Sequence, residues 1–263
     1  MNTDGRVIAR ENEVRVLRAL HRFGWLRTRD LSVLAFQPWS RKVMGLPNLA
    51  PSQSTASAQR MAQRTLRRMK VSRLVLSATG PDGCQMYALA EAGARVLQDI
   101  DIPARTGKDQ VRTFSFSHFR HRCISNEVAV SAISQGFRAS TEREISRGRW
   151  IGGENGIAGK KPDVLLRNGG HWWWVEVEKS RRNAKDYTAL IAWLGHVLRG
   201  AAATPTLPIY PGVTRLEVVF ICTPTFRAKL VKDLISRKWQ ESQILATMSF
   251  ETSLYTFEAI NFS

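Results

Sequence analysis

The chain has 263 residues, with 39 Lys and Arg against 22 Asp and Glu, a formal net charge of +17. An apolar content of 43% with eight Trp excludes a wholly disordered chain. No apolar run approaches the ~18 residues of a membrane span, and the N-terminus lacks the apolar stretch of a secretory signal. Cys84, Cys123 and Cys222 are far apart and form no CxxC, which supports neither a disulfide framework nor a Cys-rich zinc site. The chain reads as soluble and cytoplasmic, and its charge points to a polyanion, nucleic acid before membrane.

The charge is spread, with 18 basic and 9 acidic residues up to residue 110 and 21 and 13 after it. Arg-rich solvated faces throughout would be the bland explanation; local clustering argues for more. Val14, Leu17, Leu20 and Phe23 make Glu11–Phe23 an amphipathic helix with Arg15, Arg18 and Arg22 on another face, and Gly24 as its stop. Thr28 is placed to cap a short second helix carrying Leu31, Val33 and Leu34, which Pro38 ends. Residues 40–56 read as a loop. A third helix is expected from Ser57 to Lys70, with Met61, Ala62, Leu66 and Met69 as its apolar stripe.

From Ser57 to Arg73 there are six basic residues and no acid. Two short strands around Thr79-Gly-Pro-Asp-Gly83 follow, then a helix over Glu91–Ile100. Three helices, a hairpin and a helix are the order of a winged helix-turn-helix, placed at residues 1–100. Such a domain lays its third helix in the major groove of double-stranded DNA. Ser57, Gln59, Arg60 and Gln63, near the helix start, are the candidates for base contacts. Arg64, Arg67, Arg68, Lys70 and Arg73 are the candidates for the remaining DNA contacts, chiefly phosphates. The alternative is a winged helix serving only protein contacts.

Residues 101–117 read as a linker, and 118–263 as a second domain. A helix over His118–Gln135 ends at Gly136. Phe137–Ile145 alternates as a strand, with Ala139, Thr141, Arg143 and Ile145 opposite Ser140, Glu142 and Glu144. A Gly-rich loop, a strand from Lys161, the Asn168-Gly-Gly turn and a strand over His171–Lys179 come next. A helix over Asn183–Arg199, the strand Leu216–Cys222, a helix over Phe226–Trp239 and a strand near Met248–Tyr255 complete the order. The fold class is α/β (α+β).

Alternation puts Trp172, Trp174, Glu176 and Glu178 on one strand face and Trp173, Val175, Val177 and Lys179 on the other. Pairing through the turn brings Asp163 beside Glu176 and Glu178. Converging carboxylates need a cation, and oxygen donors suit Mg²⁺ or Mn²⁺. The Trp triplet reads as core on one face and a subdomain contact on the other, with base stacking as the alternative. Lys160-Lys161 and Arg181-Arg182 ring the acids, either for a phosphate backbone or as salt bridges.

Pro162-Asp163 followed by Glu176-Val177-Glu178 in an α-β-β-β-α-β order resembles the PD-(D/E)xK nuclease superfamily. The resemblance implies metal binding by Asp163 and Glu176, with Glu127 at the position of the helical Glu. The layout over roughly residues 11–222 also resembles the replication-relaxation family of plasmid and mobile-element proteins, through His118 or His121 with Asn126, Glu144, Pro162-Asp163, Glu176-Val177-Glu178, Lys185 and Tyr187. Glu127, Glu144 and Glu178 are then the further candidates for the metal shell. The sequence departs from the nuclease pattern where Glu178 stands at the lysine position; Lys185, or Lys179 through a bulge, is the candidate replacement. The implied function is DNA processing, replication or mobilisation on a mobile element, as a metal-dependent endonuclease or nickase. The alternative is a non-catalytic winged-helix regulator or accessory protein, and a defence or toxin-type effector is a third. The partners expected are double-stranded DNA and no membrane, with room for a homodimer and for replication or mobilisation proteins.

Overall fold

A computed structural model describes residues 4–112, 116–178, 183–201 and 212–253. By contact the chain forms two compact units that divide between Gly136 and Phe137, not within 101–117. No helix among the described residues is long and apolar enough to cross a membrane.

The first unit opens with α1, Gly5–Phe23, capped by the Asp4 carboxylate and stopped by Gly24 at φ +87°. Its buried residues are Val16, Leu17, Leu20 and Phe23; Val14 is only partly covered. A three-residue strand β1, Trp25–Arg27, leads into α2, Thr28–Phe36. Thr28 is already helical there; the Asp30 carboxylate instead accepts the backbone N–H of Arg27 at 2.9 Å. After an irregular segment, α3 spans Ala56–Val71, with the Thr55 hydroxyl accepting the N–H of Ala58 at 3.1 Å. Strands β2, Val75–Thr79, and β3, Gln85–Leu89, pair around the expected turn, and β1 adds to β3, giving an antiparallel sheet of order β1-β3-β2.

Helix α4, Glu91–Gln98, lies against the entry to β2. A Cβ at Gly93 would stand 2.1 Å from the Leu74 carbonyl oxygen, so only glycine permits that approach. The stretch read as a linker contains α5, Lys108–Arg112, and the start of α6, Phe116–Ser134. Val111, Phe119 and Cys123 from these helices pack on Trp25, Met86 and Ala88 of the small sheet, and Trp25 stacks on Phe119 at 5.4 Å. The α6 backbone partners lie in this unit too: Arg122 donates to the Phe23 carbonyl at 2.6 Å and Asn126 to that of Trp25 at 3.1 Å. These buried polar side chains satisfy carbonyls that would otherwise lose hydration.

In the second unit the expected strand over Phe137–Ile145 is shorter. Strand β4 covers Arg138–Ser140, and Glu142–Ser146 forms a one-turn helix, α7. Strands β5, Val164–Asn168, and β6, His171–Glu178, form a hairpin. Helix α8, Ala184–Ala201, crosses to β7, Arg215–Cys222, which runs parallel to β6. Then come α9, Pro224–Ser236, an unexpected α10, Glu241–Thr247, and β8, Met248–Glu251. The sheet order is β4-β5-β6-β7-β8, with its first three strands antiparallel and its last two parallel to β6.

One sheet face buries Leu165, Trp172, Trp174, Val218 and Phe220 against Leu190, Trp193 and Leu194 of α8 and Leu230 and Leu234 of α9. On the other, Trp173 is also buried and meets Phe137 edge to face at 5.3 Å. Strand β6 is thus covered on both faces, as central strands of such sheets are. All three tryptophans are core, and none is available as a stacking platform for bases.

Candidate nucleic-acid interface and acidic site

Helix α3 divides cleanly by exposure. Its buried side is Ala58, Ala62, Thr65, Leu66 and Met69, a 3.6-residue stripe that includes Thr65 in place of the expected Met61, which is exposed. Ser57, Gln59, Arg60, Gln63, Arg64, Arg67, Arg68, Lys70 and Arg73 are all exposed. Arg68 is partly neutralised, its Nε donating to Glu13 at 2.8 Å. Arg60, Arg64, Arg67, Lys70 and Arg73 make no ion pair among the described residues. The following hairpin carries no Lys or Arg, so the positive surface belongs to the helix and its end.

Glu127 lies on α6 in the first unit. Its Oε1 accepts from Arg27 at 2.6 Å and forms an ion pair with Arg29 at 3.1 Å, while Arg27 also forks onto Asp30 at 3.0 Å. Burial alone would push the Arg27 guanidinium down; the charges of Asp30, Cys123 and Glu127 and the Asp30 hydrogen bond hold it well above its ordinary value. The expected helical metal ligand is therefore a carboxylate already paired with two guanidinium groups. Glu144 sits on α7 rather than on a strand. Its carboxylate accepts the Thr141 N–H at 2.9 Å while the Thr141 hydroxyl accepts its N–H at 3.2 Å, a capping box.

The β5–β6 ladder ends at Val164 opposite Val175, and Asp163 lies just outside it, its backbone N–H donating to the Val175 carbonyl at 3.0 Å. The Asp163 Oδ2 accepts the N–H of Val177 at 2.7 Å. Glu176 is 2% exposed, and its Oε1 accepts from the Trp174 indole N–H at 2.6 Å and from the Lys160 ammonium. Lys160 also stands 5.9 Å over the Trp174 ring and 5.7 Å over that of Trp193. Its backbone is fixed by paired hydrogen bonds with Ile157, and Gly156, at φ +75°, lies where a Cβ would come within 2.3 Å of the Lys160 carbonyl.

Glu178 is buried beside Cys222, its neighbour across β6 and β7; burial and then the Glu178 charge push the Cys222 thiol up to about 12. Lys185 is exposed in the first turn of α8 and bonds neither Asp163 nor Glu176. Lys179, Arg181 and Arg182 lie outside the described residues. The sequence marked Lys160 only as part of a basic rim. Its contact with Glu176 depends on the Gly156 turn and on two indole rings, which residue spacing along the chain does not encode.

Among the described residues no group of three or more His, Cys, Asp or Glu is placed to hold a metal ion. The donors as they stand, one carboxylate taking an ammonium and an indole N–H and another taking a backbone N–H, do not fit a resident divalent cation. The positive charge at Glu176 comes from Lys160.

These features define a mixed α/β chain with an exposed cationic helix and a lysine-compensated carboxylate at the end of a hairpin. Compared with family models, curated proteins and solved structures, the chain matches none.

Proposed function

We propose that the chain binds double-stranded DNA through α3, as a winged helix joined to a PD-(D/E)xK-like domain, and acts as a regulator or accessory protein. The observation that carries this reading is the surface of α3: all nine residues picked out for DNA contact are exposed, and the segment holds six cations without an acid. The β1-β3-β2 sheet and the α1-α2-α3 order that precedes its hairpin support the winged-helix assignment. Ser57, Gln59, Arg60 and Gln63 take base edges, and Arg64, Arg67, Lys70 and Arg73 take phosphates. Arg68 contributes less, because Glu13 already holds it. In the second unit, a three-strand meander followed by a helical crossover to a parallel strand supports the PD-(D/E)xK-like assignment. A place in the replication or mobilisation of a mobile element rests on the family resemblance, and a homodimer would suit a two-fold DNA site.

A second reading, Mg²⁺- or Mn²⁺-dependent cleavage of DNA, is favoured by one observation, the Asp163 carboxylate on the Val177 N–H, one residue along β6 from the buried Glu176. The Lys160 ammonium on Glu176 weighs for the non-catalytic reading. Supercoiled plasmid incubated with the protein and either metal separates the two. Intact plasmid supports the regulator; nicking that Asp163→Ala with Glu176→Ala abolishes supports the nuclease and overturns it. The DNA-binding claim itself is tested by duplex affinity across a salt series, with Arg60→Ala, Arg64→Ala and Arg67→Ala combined.

A further inference from the structure

In the first unit, apart from α3, a cleft of about 490 Å³ is lined by α1, α2, the residues just after α2, and Ile133 of α6. That size falls within the ~300–1,000 Å³ of small-molecule sites. Arg15, Arg18 and Arg22 line it from α1. Their spacing of three and four residues puts them on one helix face. Arg15 and Arg18 are exposed and make no hydrogen bond or ion pair among the described residues. Phe23, Leu34 and Ile133, all buried, supply apolar wall, and Trp39 lines the cleft while remaining 48% exposed. Gln37 also lines it, and its buried Oε1 accepts no hydrogen bond among the described residues.

We propose that this cleft binds a small amphipathic anion, an aromatic or aliphatic body bearing a carboxylate or phosphate. The anionic group meets the Arg15 and Arg18 guanidinium groups, which are suited to forked hydrogen bonds with either oxyanion. The body lies against Phe23, Leu34, Ile133 and Trp39. A hydroxyl or N–H on the ligand gives the Gln37 oxygen the donor it lacks. The two kinds of lining together select the occupant. A duplex backbone would use the arginines and leave the apolar wall wet, and a neutral hydrocarbon would leave the cations unmatched. A site of this kind makes the first unit a receiver of a small-molecule signal, beyond the DNA-binding reading and independent of it.

Titration calorimetry of the full chain with 2-naphthoate, decanoate and AMP, beside the neutral 2-naphthalenemethanol, tests the proposal. At least one anion is expected to bind, and 2-naphthalenemethanol about tenfold or more weaker than 2-naphthoate. Arg15→Ala with Arg18→Ala should weaken the bound anion by about tenfold or more, and Ala19→Phe, which grows a ring into the cleft, should abolish binding. Both variants should keep the wild-type thermal transition and duplex-DNA affinity. AMP binding alone identifies a phosphate ligand, and naphthoate or decanoate binding alone a carboxylate; either supports the site. Failure of all three anions, equal binding of the neutral alcohol, or unchanged binding in either variant overturns it. A loss of duplex affinity in the arginine variant without a loss of anion binding assigns those side chains to DNA and also overturns it.

Discussion

The Lys160 ammonium and the Glu176 carboxylate form an ion pair in the interior of the second unit, with side chains 17% and 2% exposed. The pair lies near the open end of the β5–β6 hairpin, where the Asp163 carboxylate accepts the N–H of Val177, next along β6 from Glu176. A buried charge costs far less when its partner is fixed in place, and the Gly156 turn and the rings of Trp174 and Trp193 fix Lys160. Glu176 therefore carries its own cation. A divalent ion entering beside Glu176 would have to compete with an ammonium already there.

Removing one member of this pair should be costly and removing both much less so. Lys160→Met is expected to lower unfolding stability by about 3 kcal/mol, because Glu176 loses its charged partner inside the core. Lys160→Met with Glu176→Gln should recover most of that loss. Trp174→Phe, which takes away the indole donor and leaves a cavity where the larger ring packed, should cost about 2–4 kcal/mol. Urea unfolding of the four proteins measures these differences. A double variant as unstable as Lys160→Met would mean that shape rather than charge sets the cost.

The Arg27 network makes an equivalent prediction for the first unit. Arg27 joins Asp30, three residues along, to Glu127, a hundred residues away on α6. Arg27→Met should cost about 3–5 kcal/mol. Glu127→Gln should cost less, since the amide still accepts from Arg27 and the exposed Arg29 returns to water. Thermal unfolding checks both. A near-neutral Arg27→Met would contradict the role of this network in holding α6 to the first unit.

That network also marks the limit of what the sequence made legible. The apolar stripe of α3, its cationic surface and the β2–β3 turn are local patterns, and they read correctly apart from Met61. The β5–β6 pairing follows from strand alternation and a two-glycine turn, whereas the place of Asp163, outside the ladder with its N–H on the Val175 carbonyl, does not. Helix α7 was hidden because Ala139, Thr141, Arg143 and Ile145 mimic the period of a strand. The Thr141–Glu144 capping box outweighs that alternation. Strand β1 is three residues long and owes its conformation to pairing with β3, from Trp25 opposite Ala88 onward. The place of α6 is set by Arg122, Asn126 and Glu127 reaching Phe23, Trp25 and Arg27, contacts between residues about a hundred positions apart.

The buried thiols give a pH dependence with a definite sign. Burial pushes Cys123 and Cys222 from the usual 9 up to about 12, against the opposing charge of Arg27 at Cys123 and with the help of Glu178 at Cys222. The folded chain therefore holds these protons more tightly than the unfolded chain does. Their contribution to stability is complete below about pH 9 and is lost as the pH rises from 9 towards 12. Denaturant midpoints should fall across that window, and Cys123→Ala with Cys222→Ala should flatten the fall. At pH 8 both thiols should react with iodoacetamide about 10³-fold more slowly in the folded protein, in proportion to their thiolate fractions. Equal labelling before and after unfolding would contradict their burial.

The central claim is that α3 is the surface that meets duplex DNA, and the salt dependence of affinity measures it most directly. Each phosphate contact contributes about 0.9 to the slope of log K against log salt. Combining Arg60→Ala, Arg64→Ala and Arg67→Ala should weaken duplex binding and flatten that slope by about 2–3, with the thermal transition unchanged because all three side chains are exposed. A variant that binds duplex DNA with the wild-type affinity and the wild-type slope would contradict the account.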